Sequence, residues 1–461
     1  VNVKQPAYFP QWAIAVFLSL SLSLSVVHTA LAQSADDWDG SLEQRLSGFI
    51  TVWSEAKYNF PFFDQRPGLD WDGKMREYLP RVIATKGIDD YYAVLMEFAA
   101  LLKDGHTGVN PPGGPLNAAY DWPPLEVQVI DGQYIVVRNA DTDELKNNRV
   151  YPGLEIIEIE GVPVTDYFRE HVVRFESRGA QHADEAIGIY RLLLGPKNSK
   201  VNLSVSDPDA TARTVSLTRN SATASGEKFY PRLLDGYLSA SPVEFSQGDD
   251  GIVVVKISNF GSEEVVSGFF EKFDRTDWTN VKGVILDLRF NPGGNDQFAW
   301  PILSCFINEP IASPLWRSPK YVPAKLAWGF DPEWEQGFLG DQYIQPRDGK
   351  RYNGPLVILT GHATFSTAED FIIPLDYAGR AVLVGATTAG STGNPKRVPL
   401  PGGGDFRVVT LRTTYPDGTE WVGTGIRPDV EVHVTRQDIV AGRDAILLQG
   451  LEVIRDRTKV H

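Results

Sequence analysis

Residues 356–369 read LVILTGHATFSTAE. Leu356 to Thr360 is an unbroken apolar and β-branched run, the pattern of a strand covered on both faces inside a parallel sheet. Gly361 interrupts it. Ser366, with Glu369 three residues later, then supplies the Ser-x-x-Glu signature that opens a helix. Strand, short loop and helix in that order predict one arm of an α/β core. A serine at such a helix start has a plain role as the cap. It also sits where a nucleophile is well served, because the helix N-terminus and the Thr367 amide stabilise developing negative charge. The two roles are compatible.

Working outward, residues 251–257, 284–288 and 381–384 are further apolar strands, and residues 263–273 form an amphipathic helix. The strand at 284–288 runs into Arg289-Phe290-Asn291-Pro292-Gly293-Gly294-Asn295. Asn-Pro-Gly-Gly is a turn, and adjacent glycines let backbone amides come close to an oxyanion. No Gly-Lys-Ser/Thr follows, so it is not a nucleotide-binding P-loop. Asp287 and Arg289 are placed to pair at the strand end. Residues 308–352 are rich in Trp, Pro, Gly and Tyr and predict a long surface excursion of the binding-loop kind.

Toward the N-terminus, residues 40–104 carry helical periodicity, with Leu46, Phe49, Ile50, Val52 and Trp53 predicted on one buried face. The helical stretch ends in Asp104-Gly105-His106-Thr107 and a Pro-Pro-Gly-Gly breaker. Residues 122–219 change to short strands at 133–138, 154–160, 201–205 and 214–218, with a helix predicted at 185–194, which suits a small partly open barrel. His106 is the histidine best suited to serve as a base for a serine, since imidazole titrates near working pH unperturbed. His362, four residues before Ser366, is a competitor on a loop too short to fold back. No histidine pair has zincin spacing and there is one cysteine, Cys305, so no metal site is expected.

The chain has 461 residues, enough for about three domains at roughly 150 each. Its 42% hydrophobic and 22% charged content excludes wholesale disorder and a fibre. A net charge of −15 argues against a nucleic-acid partner. Lys4 is the one charge in residues 1–32, which hold the apolar, serine-rich run AIAVFLSLSLSLSVV (13–27) and then Ala30-Leu31-Ala32. This predicts a secretory signal cleaved before Gln33. The run is shorter than the roughly 20 residues a membrane span needs, so no stable membrane insertion is expected after its removal. The predicted location is periplasmic or extracellular.

Taken together, residues 284–294, 364–369 and 103–107 resemble motifs of the C-terminal-processing (tail-specific) serine peptidases, in particular the branch related to the tricorn core protease, which uses a histidine base. LVGATTAG (383–390) and GTGIRPDVEV (423–432) resemble the family's next loop and its closing strand. The resemblance implies an α+β multidomain fold: a signal at 1–32, a helical N-terminal subdomain at 36–115, a PDZ-like β domain at 116–222 and a crotonase/ClpP-like α/β peptidase core at 223–461. It implies Ser366 as nucleophile and His106 as general base, with Gly293, Gly294 and Thr367 amides as the oxyanion hole and a peptide or unfolded protein as substrate. No cofactor is implied. In the branch with a lysine base, the lysine position corresponds to Ser391 here, and Lys396 is the nearest lysine. The glutamate that orients the histidine is expected just before Gly423, where Val422 stands, so Glu420 is the nearest carboxylate for that role. Activity is expected to fall through roughly pH 6 to 7 as the histidine protonates. The alternative is a non-catalytic peptide- or ligand-binding protein on the same scaffold; a PDZ-type adaptor would leave the Ser366, His106 and Gly293-Gly294 set unexplained. The sequence sets no oligomeric state.

Overall fold

A computed structural model describes residues 38–113, 118–176, 178–207, 212–238 and 242–459; the predicted signal at 1–32 lies outside them. Three helices come first: α1 (Leu42–Asn59), α2 (Trp71–Ala84) and α3 (Ile88–Ala100). Ser41 caps α1 by accepting the Gln44 amide, and Asp70 caps α2 by accepting the Gly73 amide. The buried stripe of α1 is Phe49, Val52 and Ala56. Ile50, predicted on that stripe, is 49% exposed because it lies one position off it. Trp71 stacks on Phe98 with ring centroids 4.2 Å apart, tying α2 to α3.

These helices do not stand alone. Phe49, Leu95 and Phe98 share one hydrophobic core with Phe260, Phe371 and Phe406 of the C-terminal half. Tyr92 donates its hydroxyl to the Pro401 carbonyl and accepts the Gly404 amide. After α3, the chain enters β1 (Gly108–Asn110), so His106 leads directly into a strand.

A mixed α/β middle unit follows, with a core of its own. Strands β2 (Leu125–Ile130), β3 (Gln133–Asn139), β4 (Glu155–Ile159), β5 (Lys200–Ser206) and β6 (Ala212–Thr218) form an antiparallel sheet in that order. The strand at 125–130 was not predicted, although its LEVQVI alternates. The helix predicted at 185–194 instead is α4 (Gln181–Gly188), followed by a 3-10 turn at Ile189–Arg191. Helix α4 turns Ala183 and Ile187 onto the C-terminal half, against Phe365 and Ala389.

The C-terminal half is built on six strands: β7 (Val243–Gln247), β8 (Ile252–Ile257), β9 (Gly283–Asp287), β12 (Leu356–Thr360), β13 (Val382–Gly385) and β17 (Val430–Glu431). β7 and β8 are antiparallel and the rest parallel. Alternate residues face two different layers, as a pleated strand requires. Val284, Leu286 and Ile358 pack with α5 (Glu263–Arg275), α6 (Asp296–Leu303) and α7 (Thr367–Tyr377). Ile285, Val357 and Leu359 pack on α8 (Ala445–Lys459). The long excursion at 308–352 contains a hairpin, β10 (Leu315–Lys320) and β11 (Glu333–Phe338), anchored because β10 also pairs with β16 (Arg412–Thr414). Strands β14 (Lys396–Leu400) and β15 (Gly404–Val408) complete a second small sheet with β1, in the order β1-β15-β14.

Candidate active site

The carboxyl ends of β9 and β12 point the same way, and the loops that leave them meet. This is where an open parallel sheet places a ligand crevice. Ser366 stands at the start of α7 with φ +61°, a left-handed value that a non-glycine residue adopts only under constraint. The constraint is visible: its amide donates to the Ser391 carbonyl at 3.0 Å and to Glu369 Oε2 at 3.0 Å. The capping-box glutamate is therefore used, and the serine hydroxyl is turned elsewhere. Ser366 Oγ lies 2.9 Å from His106 Nε2.

His106 arrives on the turn between α3 and β1, held by chain pairing. Val109 sits opposite Phe406, and the Val409 amide donates to Thr107 Oγ1. Its ring stacks on Phe365, centroids 4.5 Å apart and planes within 4°. Gly105 is needed here: a Cβ would fall 2.8 Å from the Phe365 ring and 2.9 Å from Ser391 Oγ. The imidazole is buried, which pushes its pKa well below the ordinary value, and the positive charges of Arg407 and Arg178 push the same way. A neutral imidazole is the form that can accept a proton.

The second ring nitrogen does not meet Glu420. His106 Nδ1 is 2.8 Å from Ser391 Oγ. Glu420, expected to orient the histidine, stands across a hairpin from Thr414, where Arg317 at 2.6 Å, Gln65 at 3.0 Å and Arg412 at 3.7 Å take its oxygens. Two guanidiniums attract it more strongly than a distant imidazole could. The acid near His106 is Asp104, which is buried, accepts the His106 amide at 3.0 Å and lies 3.4 Å from Ser391 Oγ. The sequence signal was available: Asp104 stands two residues before the histidine in the same motif.

The other basic candidates are engaged elsewhere. His362 Nδ1 faces the Thr387 carbonyl at 2.8 Å, and His182 Nε2 faces that of Thr388 at 2.9 Å. Lys396 is half-exposed and pairs with Glu55 at 2.7 Å.

Three amides were expected to form an oxyanion hole. The Gly293 amide is taken by Asn291 Oδ1 at 2.8 Å, so it is removed from that set. The Gly294 and Thr367 amides meet no acceptor among the described residues. Gly293 matters for its lack of a side chain instead. At φ +88°, a Cβ there would lie 2.6 Å from Ser366 Cβ and 2.7 Å from the Thr367 nitrogen.

Beneath the site, Glu369 is buried. It accepts from the Ser366, Gly390 and Ser391 amides and from the Thr388 hydroxyl. Burial nonetheless pushes it up to about 8. Asp370, buried, and Asp296, half-buried, form an acidic pair nearby, each with Oδ1 enclosed and without a donor among the described residues. Burial raises both, Asp296 to about 6, and the Asp296 charge raises Asp370 further. Cys305 is buried, and burial pushes its thiol up to about 11, which leaves it inert. No group of three or more His, Cys, Asp or Glu among the described residues is arranged to hold a metal ion.

Residues 251–432, which hold Ser366, Ser391 and the Gly293-Gly294 loop, match the model of Peptidase family S41. Over that segment the chain is similar to the S41 peptidases. Among curated relatives, this chain is 22% identical over 320 residues to the carboxy-terminal processing protease CtpA of Bacillus subtilis (strain 168). That match covers 69% of this chain and 57% of the relative. It is 30% identical over 168 residues to a carboxy-terminal-processing protease of Bartonella bacilliformis, covering 36% of this chain and 35% of the relative. The chain thus spans between about a third and three-fifths of the length of these two relatives. Among solved structures, CPAF complexed with lactacystin superposes with a TM-score of 0.68 at 16% identity, covering 91% of this chain and 98% of CPAF. Mature CPAF gives 0.67 at 17%, covering 86% and 94%. These likenesses establish a shared fold across the helices, the middle unit and the core. No described helix is long and apolar enough to cross a membrane.

Proposed function

We propose that this chain is an exported serine endopeptidase of the S41 type that cleaves peptide bonds through an acyl-enzyme on Ser366, with His106 as general base. The observation that carries this reading is the 2.9 Å contact between Ser366 Oγ and His106 Nε2 at a constrained helix N-terminus. The neutral imidazole takes the hydroxyl proton as Ser366 attacks the carbonyl, then gives it to the leaving amine. The Gly294 and Thr367 amides receive the oxyanion, each donor worth about 3 kcal/mol in the transition state. Residues 116–222 serve as a PDZ-like module that takes an extended peptide or unfolded chain by strand addition, and the core at 223–461 is of crotonase/ClpP-like type. The signal-like sequence at 1–32 supports export to the periplasm or beyond the cell.

The test is covalent labelling by a fluorophosphonate probe followed across pH. Label is expected on Ser366 alone. The labelling rate is expected to hold through pH 6.5 and decline only under more acid conditions, because burial keeps His106 neutral below its ordinary range. The roughly pH 6 to 7 limb expected from the sequence is thereby moved downward. A protein that takes up no label would be a peptide-binding relative on the same scaffold.

Gly293→Ala tests the oxyanion region. The added methyl must displace either Ser366 or the Thr367 amide at a backbone angle that disfavours it. The labelling rate is expected to fall at least about 100-fold, the effect of losing one oxyanion donor. A rate within threefold of the parent would show that this approach is not needed.

A further inference from the structure

We infer that Ser391 and Asp104 together set the tautomer and orientation of His106, a task usually given to a carboxylate bonded directly to the ring. This rests on the reading of His106 as general base.

The geometry is a chain of four groups: Ser366 Oγ, the His106 ring, Ser391 Oγ and Asp104, at 2.9, 2.8 and 3.4 Å. Ser391 is fixed at three points. Its amide donates to Glu369 Oε2, its carbonyl accepts the Ser366 amide, and its hydroxyl faces His106 Nδ1. The residue that touches the base is therefore tied by its backbone to the nucleophile's own turn.

A hydroxyl facing an imidazole nitrogen is ambiguous, because it can donate or accept. If Ser391 donated to Nδ1, the ring proton would sit on Nε2 and His106 could not take a proton from Ser366. Asp104 resolves the ambiguity. A carboxylate can only accept, so the Ser391 hydroxyl proton points to Asp104 Oδ1 and its lone pair receives Nδ1–H. Nε2 is left free to act as the base. When Ser366 gives up its proton to Nε2, Nδ1 keeps its own, and the imidazolium is stabilised by the Ser391 dipole and the Asp104 charge behind it. Burial pushes the Asp104 carboxyl above its ordinary range, and the His106 amide, the Thr107 hydroxyl and the charges of Arg407 and Arg66 oppose that rise and favour the carboxylate. Both Ser391 and Asp104 are positioning residues: neither reaches the reacting carbonyl.

The experiment combines kinetics with nitrogen NMR of histidine-labelled protein, assigned with a His106→Gln variant. In the parent, His106 is expected to carry its proton on Nδ1, measured without any substrate. Ser391→Ala should lower kcat about 100-fold with KM within twofold, and Ser391→Thr, which keeps the hydroxyl, should recover most of the rate. Asp104→Asn should lower kcat about 1000-fold, because an amide NH2 aimed at Ser391 turns its hydroxyl toward Nδ1 and moves the ring proton to Nε2. A parent His106 protonated on Nε2, or a Ser391→Ala variant within threefold of the parent kcat, overturns the inference. The tautomer is read on the parent protein, so variants that fold poorly leave a decisive measurement standing. Failure of the peptidase reading would instead show as a parent protein that takes up no fluorophosphonate and hydrolyses no peptide, whatever tautomer His106 holds.

Discussion

Ser366→Ala is expected to lower kcat for peptide hydrolysis by about 10⁶-fold, the loss found when a serine nucleophile is removed from a working set. The size follows from the site. With the hydroxyl gone, the Nε2 atom of His106 faces a methyl group, and no other nucleophilic side chain among the described residues bonds to it. Oxyanion donors and substrate binding remain and give a residual rate. Stability should change little. Ser366 holds its place through its amide, which bonds to Glu369 and the Ser391 carbonyl, and those bonds survive the substitution. The cost is that of the hydroxyl's hydrogen bond to His106, about 1 kcal/mol. Thermal melting and peptide hydrolysis measured on one preparation check both parts. Unchanged hydrolysis would move the nucleophile elsewhere, and a collapsed melting transition would mean that the hydroxyl serves the fold.

The converse profile is expected for Glu369→Ala. Three amides and one hydroxyl converge on that buried carboxyl group. Each enclosed donor left without an acceptor costs about 1–3 kcal/mol. Water entering the vacated space recovers part of this, so a loss of about 4 kcal/mol is the expected net. For a core of this size that is a melting-point drop on the order of 10 °C. Activity should fall with it, since the same group fixes Ser366 and Ser391. Denaturant unfolding, read together with the labelling rate, distinguishes this from Ser366→Ala: here stability and reactivity decline in parallel. A variant as stable as the parent would show that the donors find other acceptors.

Much of this arrangement could be read from the sequence because it rests on local patterns. The buried strand at 356–360 has the predicted bounds. The Ser-x-x-Glu signature placed the start of α7, and the Asp-Gly-His motif placed the histidine that meets Ser366. What escaped depends on long-range pairing. Glu420 lies close in sequence to the closing motif, but the Arg317 guanidinium that holds it comes from 103 residues away in the chain, and no local pattern reveals that pairing. Gly293 looked like an oxyanion donor because glycines permit close approach. The bond from its amide to Asn291 belongs to the turn's own geometry and shows only when the turn is folded. The partner of His106 Nδ1 lies 285 residues further along, again beyond local reading. The hairpin within 308–352 was hidden by composition, since its Trp, Pro and Gly content reads as loop.

One consequence follows from β1 lying in the small sheet beside β15. His106 and Ser366 stand 260 residues apart, and the histidine reaches its place only when Gly108–Asn110 pairs with residues made some 300 positions later. A chain emerging from the ribosome holds His106 long before Ser366 exists, and an unfinished chain that has both still lacks the strand that aligns them. The meeting of His106 with Ser366 thus waits on strands near the end of the chain, and a chain stopped before residue 404 lacks the partner that holds the histidine turn in place.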